Sequence, residues 1–228
     1  MTKTYHNLQD ALDNPLDVLI LEMSMNTRIS MGLHELESLP RVIGLFQNLE
    51  KLNLDGNQLT SLPKEIGQLQ KLRVLNLAGN QLTSLPKEIG QLQNLERLDL
   101  DGNQFTSLPK EIGQLQNLER LDLAGNQFTS LPKEIGQLQK LEALNLDHNR
   151  FTIFPKEIRQ QQSLKWLRLS GDQLKTLPKE ILLLQNLQVL RLYSNSFSLK
   201  EKQKIQELLP NCEIDFESEG KSESSLTE

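Results

Sequence analysis

A chain of 228 residues with a formal charge of −5 has no basic surplus to drive non-specific binding to nucleic acid or to anionic membranes. Aromatic residues make up only 4% of it, so any core must be built mainly from Leu and Ile. A single cysteine, Cys212, excludes an intrachain disulfide.

The first element in chain order is a short capping helix over residues 6–14. Asn7 can cap it, Asp10 follows three residues later, and Leu8, Ala11 and Leu12 share one face. Pro15 ends it, because the residue before a proline is pushed out of helical geometry. The apolar run Val18 to Leu21 is too short for a signal-peptide core or a membrane span. Either the chain is intracellular as written, or Met1 stands where a signal was removed.

Val18, Leu21, Met23 and Asn26 then open a pattern L-x-x-L-x-L-x-x-N that resumes at Leu36, Leu39, Pro40 and Ile43. The surplus residues Thr27–Glu35 predict a bulged loop over the open end of the core. Met23, Met25 and Met31 make an adaptable contact surface the alternative for this Met-rich insertion, residues 24–35.

From there the pattern is strict. Its first Leu recurs every 23 residues, at Leu49, Leu72, Leu95, Leu118, Leu141, Leu164 and Leu187. A fixed period of this size means a stack of supersecondary units sharing one continuous core. Within each unit, L-x-L predicts a short strand in a parallel sheet, and Asn turns the chain while its amide satisfies backbone groups. Leu59, Leu82, Phe105, Phe128, Phe151, Leu174 and Phe197 form a second inward column. Leu-Pro-Lys-Glu-Ile then suits the start of a helical turn, and Gly67, Gly90, Gly113 and Gly136 limit it to single turns or 3-10 segments. Leu182 in place of that Gly predicts a more helical segment in the sixth repeat. After residue 198 the pattern stops. Residues 199–209 predict an amphipathic helix with Leu199, Ile205, Leu208 and Leu209 inward. Cys212, Ile214 and Phe216 predict a last strand that covers the sheet edge.

These residues resemble the leucine-rich-repeat family. The sentence L-P-x-E-I-G-x-L-Q is similar to leptospiral proteins of that family, as are Asn7-Leu8 to Val18 and Leu208-Leu209-Pro210 to Phe216 at the two ends. A weaker similarity, through L-P-x-x-I, is to intracellular Ras-associated members. The resemblance implies an α/β solenoid, a horseshoe with a concave parallel β-sheet and short convex turns. It carries a helical N-cap and a helix-plus-strand C-cap. One domain is expected over 1–217: cap and degenerate repeat at 6–48, seven repeats at 49–198, C-cap at 199–217. An acidic disordered tail follows at 218–228. It further implies a non-catalytic, protein-binding module, secreted or surface-exposed on a bacterium and contacting host macromolecules. The alternative is a cytoplasmic scaffold or regulator of a signalling protein such as a small GTPase. The chain departs from the pattern in its Met-rich insertion, in Gln161 for Leu and in Asp172 for Asn.

Function in such a stack is expected where the strand columns vary. The N-terminal repeats are nearly uniform, whereas the last three carry His148, Arg150, Trp166, Arg168, Val189, Arg191 and Tyr193. An aromatic side chain beside arginines is the composition of an interface hot spot, so these seven are the candidate partner-binding residues. Asp99, Asp101, Asp122 and Asp147 could suggest Ca²⁺, but Arg97 and Arg120 beside them favour a solvated, charge-paired face. His6, His34 and His148 are far apart, and Cys212 reads as a core thiol. No catalytic set, cofactor, metal or nucleic-acid partner is expected, no membrane insertion, and a monomer is favoured.

Overall fold

A computed structural model describes residues 4–31 and 34–217. Its framework is one parallel sheet in which strand order equals sequence order. The strands are β1 Thr4–Tyr5, β2 Ile20–Glu22, β3 Lys51–Asn53, β4 Val74–Asn76, β5 Arg97–Asp99, β6 Arg120–Asp122, β7 Ala143–Asn145, β8 Trp166–Arg168, β9 Val189–Arg191 and β10 Glu213–Asp215. Each repeat pairs with the next in the same register, so Leu52, Leu75, Leu98, Leu121, Leu144, Leu167 and Leu190 form one row. That row is at most 2% exposed, and the inward Leu and Ile of the other columns join it in a single core. Phe105 and Phe128 stack inside it with ring centroids 6.4 Å apart.

Asparagine holds the turn after β3 to β7 and after β9. In one copy, Asn126 Oδ1 accepts from the Phe105 N–H at 2.9 Å. Its Nδ2 donates to the carbonyls of Leu100, Leu123 and Ala124 at 2.9, 3.1 and 2.9 Å. The amide therefore joins two repeats while satisfying a buried backbone donor.

The convex side consists of 3-10 turns, among them Lys64–Gln68, Lys110–Gln114 and Lys156–Gln160. Proline sits at the cap just before each turn, with extended ψ near 147° at Pro63, rather than inside it. The glycine has a stronger reason than helix weakening. A Cβ on Gly113 would lie 2.7 Å from the Glu134 backbone carbonyl of the next repeat, so only Gly allows the turns to stack this closely. The closing Gln of the repeated sentence ties the same turn, since Gln116 Nε2 donates to the Gly113 carbonyl at 2.7 Å.

Four expectations are corrected. The surplus residues do not form a plain loop: Met25–Ser30 is α2, so Asn26 is an exposed helical residue and not a turn asparagine. The segment with Leu182 is a 3-10 turn, Lys179–Leu183, like its neighbours, because the stack sets the geometry of each turn. Leu199, expected inward, is 80% exposed at the start of α3, Leu199–Leu208, whose one fully buried side chain is Ile205. A short strand, β1, precedes the N-terminal helix α1, Leu8–Leu12, which Asn7 does cap through Oδ1 and the Asp10 N–H. As expected, Val18, Leu21 and Met23 are buried in a degenerate repeat, and β10 covers the far edge of β9. The acidic tail 218–228 lies outside the described residues. No helix among the described residues is long and apolar enough to cross a membrane.

Candidate functional site

The concave sheet presents alternate residues of each strand, and its two ends differ in character. At the C-terminal end Ala143, Trp166 and Val189 stand side by side in register on β7, β8 and β9. Ala143 and Val189 are half-buried and Trp166 is 37% exposed. Together they make a continuous apolar strip, whereas the apolar Ile20 and Val74 of the same column are separated by Lys51 and followed by Arg97. Lys165 lies 5.9 Å from the Trp166 ring and pairs with Glu142 at 2.7 Å, which holds the indole from one side.

The arginines beside the strip are fixed by internal partners. Arg168 Nε meets Asp147 Oδ2 at 2.7 Å, and its Nη2 donates to the Tyr193 hydroxyl at 3.0 Å. That hydroxyl in turn donates to Asp147 Oδ2 at 3.4 Å. Burial works against the Arg168 charge, but Asp147 and Tyr193 together outweigh it and hold the guanidinium above its ordinary value. Arg191 is tied to Glu213 at 2.8 Å and to Asp215, both on the capping strand β10. Arg168, Arg191 and Tyr193 thus form a rigid border rather than a free positive patch. His148 and Arg150 are both exposed but lie past the end of β7. His148 takes the left-handed turn conformation at φ 55° that glycine occupies in most other repeats. Its ring lies over Gly171, where a Cβ would collide with it.

Sequence reasoning missed Asp147, Lys165, Glu213 and Asp215 as organisers of this end. Asp147, expected on a solvated acidic face, is 2% exposed. It serves as the anchor for Arg168 and for the Ser170 N–H, 2.6 Å from Oδ1. The charge pairing expected in the middle of the sheet is also absent. Among the described residues Arg97 and Arg120 form no ion pair with the aspartates. They stand beside each other in register, as do Asp99 and Asp122. Burial pushes Asp99 up to about 6, with Asp122, Asp101 and Asp55 adding to the rise. Asp122 and Asp55 are raised too, burial again being the main cause. No group of three or more acidic, His or Cys side chains among the described residues is disposed to hold a metal ion. Cys212 is half-buried against the core, and burial lifts its thiol to about 11, so it stays protonated and weakly nucleophilic.

Strand, asparagine turn and 3-10 turn repeated in register define a solenoid of repeat units. Sequence models of the family agree with it. The model described as "Leucine-rich repeat region" matches residues 64–150 and 98–164, and "Leucine Rich Repeat" matches 48–69. The chain belongs to the leucine-rich-repeat family. Comparison with curated protein sequences finds no match. Among solved structures it is similar to the ectodomain of the Arabidopsis thaliana receptor kinase GASSHO1/SCHENGEN3 in complex with CASPARIAN STRIP INTEGRITY FACTOR 2. There the identity is 33% over 86% of this chain and 26% of that one, with a TM-score of 0.66. It is also similar to a plant peptide hormone receptor, RGFR1, in complex with RGF2. That match has 31% identity over 86% of this chain and 30% of that one, with a TM-score of 0.67. The chain therefore spans less than a third of the length of either of those solved chains. A leucine-rich-repeat protein of Leptospira interrogans is 31% identical over 95% of this chain and 100% of its own, with a TM-score of 0.31, too low to carry structural weight.

Proposed function

We propose that the chain is a non-catalytic protein-binding module whose contact surface is the concave strip Ala143–Trp166–Val189 with its border of Arg168, Arg191 and Tyr193. The observation that carries this reading is the strip itself. It sets an aromatic side chain, flanked by small apolar neighbours, on rigid strands whose nearby charges are already neutralised. Such a surface can bury apolar area without desolvating a free charge or ordering a loop, the two main costs of association. The two plant receptors similar to this chain were solved in complex with CASPARIAN STRIP INTEGRITY FACTOR 2 and with RGF2, the second being a peptide hormone receptor, which supports a peptide or protein ligand. His148 and Arg150 stand at the rim, where they would meet a partner larger than the strip. We extend the reading to a secreted or surface-exposed bacterial protein that contacts host or extracellular proteins, on the strength of the L-P-x-E-I-G-x-L-Q sentence.

The test is a pull-down from host-surface extract and from cytosolic extract, run with the parent chain and with Trp166→Ala/Val189→Thr. Arg168→Ala is unsuitable, because it would strip the cation from the buried Asp147 and unsettle the fold. A partner retained from surface extract and lost with the double variant supports the reading. Equal retention by parent and variant sinks it, and enrichment from cytosol alone removes the extracellular part.

A further inference from the structure

One turn of the solenoid is built differently from the others. At Asn57, Asn80, Asn103, Asn126, Asn149 and Asn195 the side-chain oxygen accepts an N–H and the side-chain nitrogen donates to carbonyls. Asp172 occupies the same position in its repeat. Its Oδ1 accepts from the Phe151 N–H at 2.8 Å, as the asparagine oxygens do. Its Oδ2 stands where an amide nitrogen would be, buried and with no hydrogen-bond partner. By repeat equivalence the groups around it are carbonyl oxygens. Two of them, of Leu146 and Leu169, already receive Asn149 and Asn195 at 2.9 and 2.6 Å. An ionised Oδ2 has nothing to donate to these carbonyls, whereas a protonated one restores a donor.

We propose that Asp172 is a proton-dependent strut of the candidate binding surface: protonated, it completes the hydrogen-bonded turn, and ionised, it loosens the Ser170–Asp172 turn and the Arg168–Asp147–Tyr193 lattice. The ionisable groups around the turn are Asp147 and His148 from the preceding repeat, Arg168 from its own strand and Tyr193 from the next. Arg168 is committed to Asp147 at 2.7 Å, so it does not neutralise Asp172. Asp147 instead adds its own charge against a second carboxylate, and one of two neighbouring carboxyls keeps its proton. Burial lifts the Asp172 carboxyl to about 7. The Phe151 and Asn149 N–H groups oppose the rise and Asp147 adds to it. Ser170, between the two aspartates, donates its N–H to Asp147 Oδ1 at 2.6 Å, so the two sites share a backbone segment.

The sign follows from linkage. The folded carboxyl titrates well above the unfolded one, at roughly 3.9. The proton's contribution is therefore complete below about pH 4 and lost as pH rises to about 7. Relative to Asp172→Asn, the parent loses up to about a hundredfold in its folding constant between pH 5 and 7. The consequence for binding, tighter capture on the acid side, rests on the surface reading above. The titration itself does not.

The experiment needs no partner. Thermal melts and the emission of Trp166, the only tryptophan, are followed from about pH 5 to 8.5 for the parent, Asp172→Asn and His148→Gln. Asp172→Asn restores the repeat pattern and so folds. We expect it to raise the melting temperature by at least about 5 °C at pH 8.5 and by clearly less at pH 5. The parent's emission change near neutral pH should vanish in Asp172→Asn and survive in His148→Gln. An equal gain at both pH values overturns the proposal. So does an emission change that persists in Asp172→Asn or disappears with His148→Gln.

Discussion

Replacing Asn126 by Ala removes four hydrogen bonds from the middle of the array, and they do not weigh equally. The Leu100 carbonyl keeps a second amide donor from Asn103, and the Leu123 carbonyl keeps one from Asn149. The Ala124 carbonyl keeps the Gly102 N–H at 3.0 Å. Only the Phe105 N–H is left buried without an acceptor. An orphaned buried donor costs about 1–3 kcal/mol, and each of the three lost but partly compensated bonds about 0.5–1 kcal/mol, giving roughly 2.5–6 kcal/mol in total. Because repeats touch only their neighbours, the loss should concentrate in the flanking units and broaden unfolding. Equilibrium denaturation followed by circular dichroism measures the total, and amide exchange at Phe105 locates it. A loss below about 1 kcal/mol, or unchanged protection at Phe105, would refute the assignment of the turn asparagines as the joints of the stack.

Gln161 is 1% exposed at a position where other repeats have Leu, and its Oε1 has no partner. Gln161→Leu should therefore stabilise the chain by about 1–2 kcal/mol, read as a higher denaturation midpoint. Gly113→Ala should destabilise it by about 1–3 kcal/mol, since the new Cβ meets the Glu134 carbonyl at 2.7 Å. Ala in place of the neighbouring exposed Gln114 should have almost no effect. Asp99 is held at about 6 when folded, above its unfolded value, so its contribution is complete in acid and lost as pH rises through 6. The array should then be more stable near pH 5 than near pH 7.5, and Asp99→Asn should flatten that slope. A melting temperature that rises over the same interval would contradict the burial of these carboxyls.

The inward letters of the repeat were legible because they obey one rule. A period of 23 with Leu at fixed offsets forces strand, turn and core into register, so Leu52 or Phe128 could be placed from sequence alone. Other features depend on what lies one repeat away. Arg168 reaches back to Asp147 across a repeat boundary, and Arg191 reaches forward to Glu213 and Asp215 on the cap. Neither contact has a local signature, so Arg168 and Asp147 read separately as a free cation and a solvated anion. Gly113 failed in the same way: its local reading concerned helix propensity, while its reason is the next repeat's carbonyl. Leu182 and Leu199 depart from what local periodicity predicts because the stack sets the turn geometry at Leu182 and the end of the stack leaves Leu199 uncovered. Asp172 was visible as a departure. Only the stacked carbonyls show what it costs.

The most direct test of the binding account is site-specific photo-crosslinking. A benzophenone side chain is placed at Ala143, inside the concave strip, or at the exposed Lys110 on the convex turns, and each protein is irradiated in host-surface extract. The account predicts a discrete protein adduct from position 143 that is lost when Trp166→Ala is added, and none from position 110. Adducts of equal yield from both faces, or an adduct at 143 indifferent to Trp166, would contradict it.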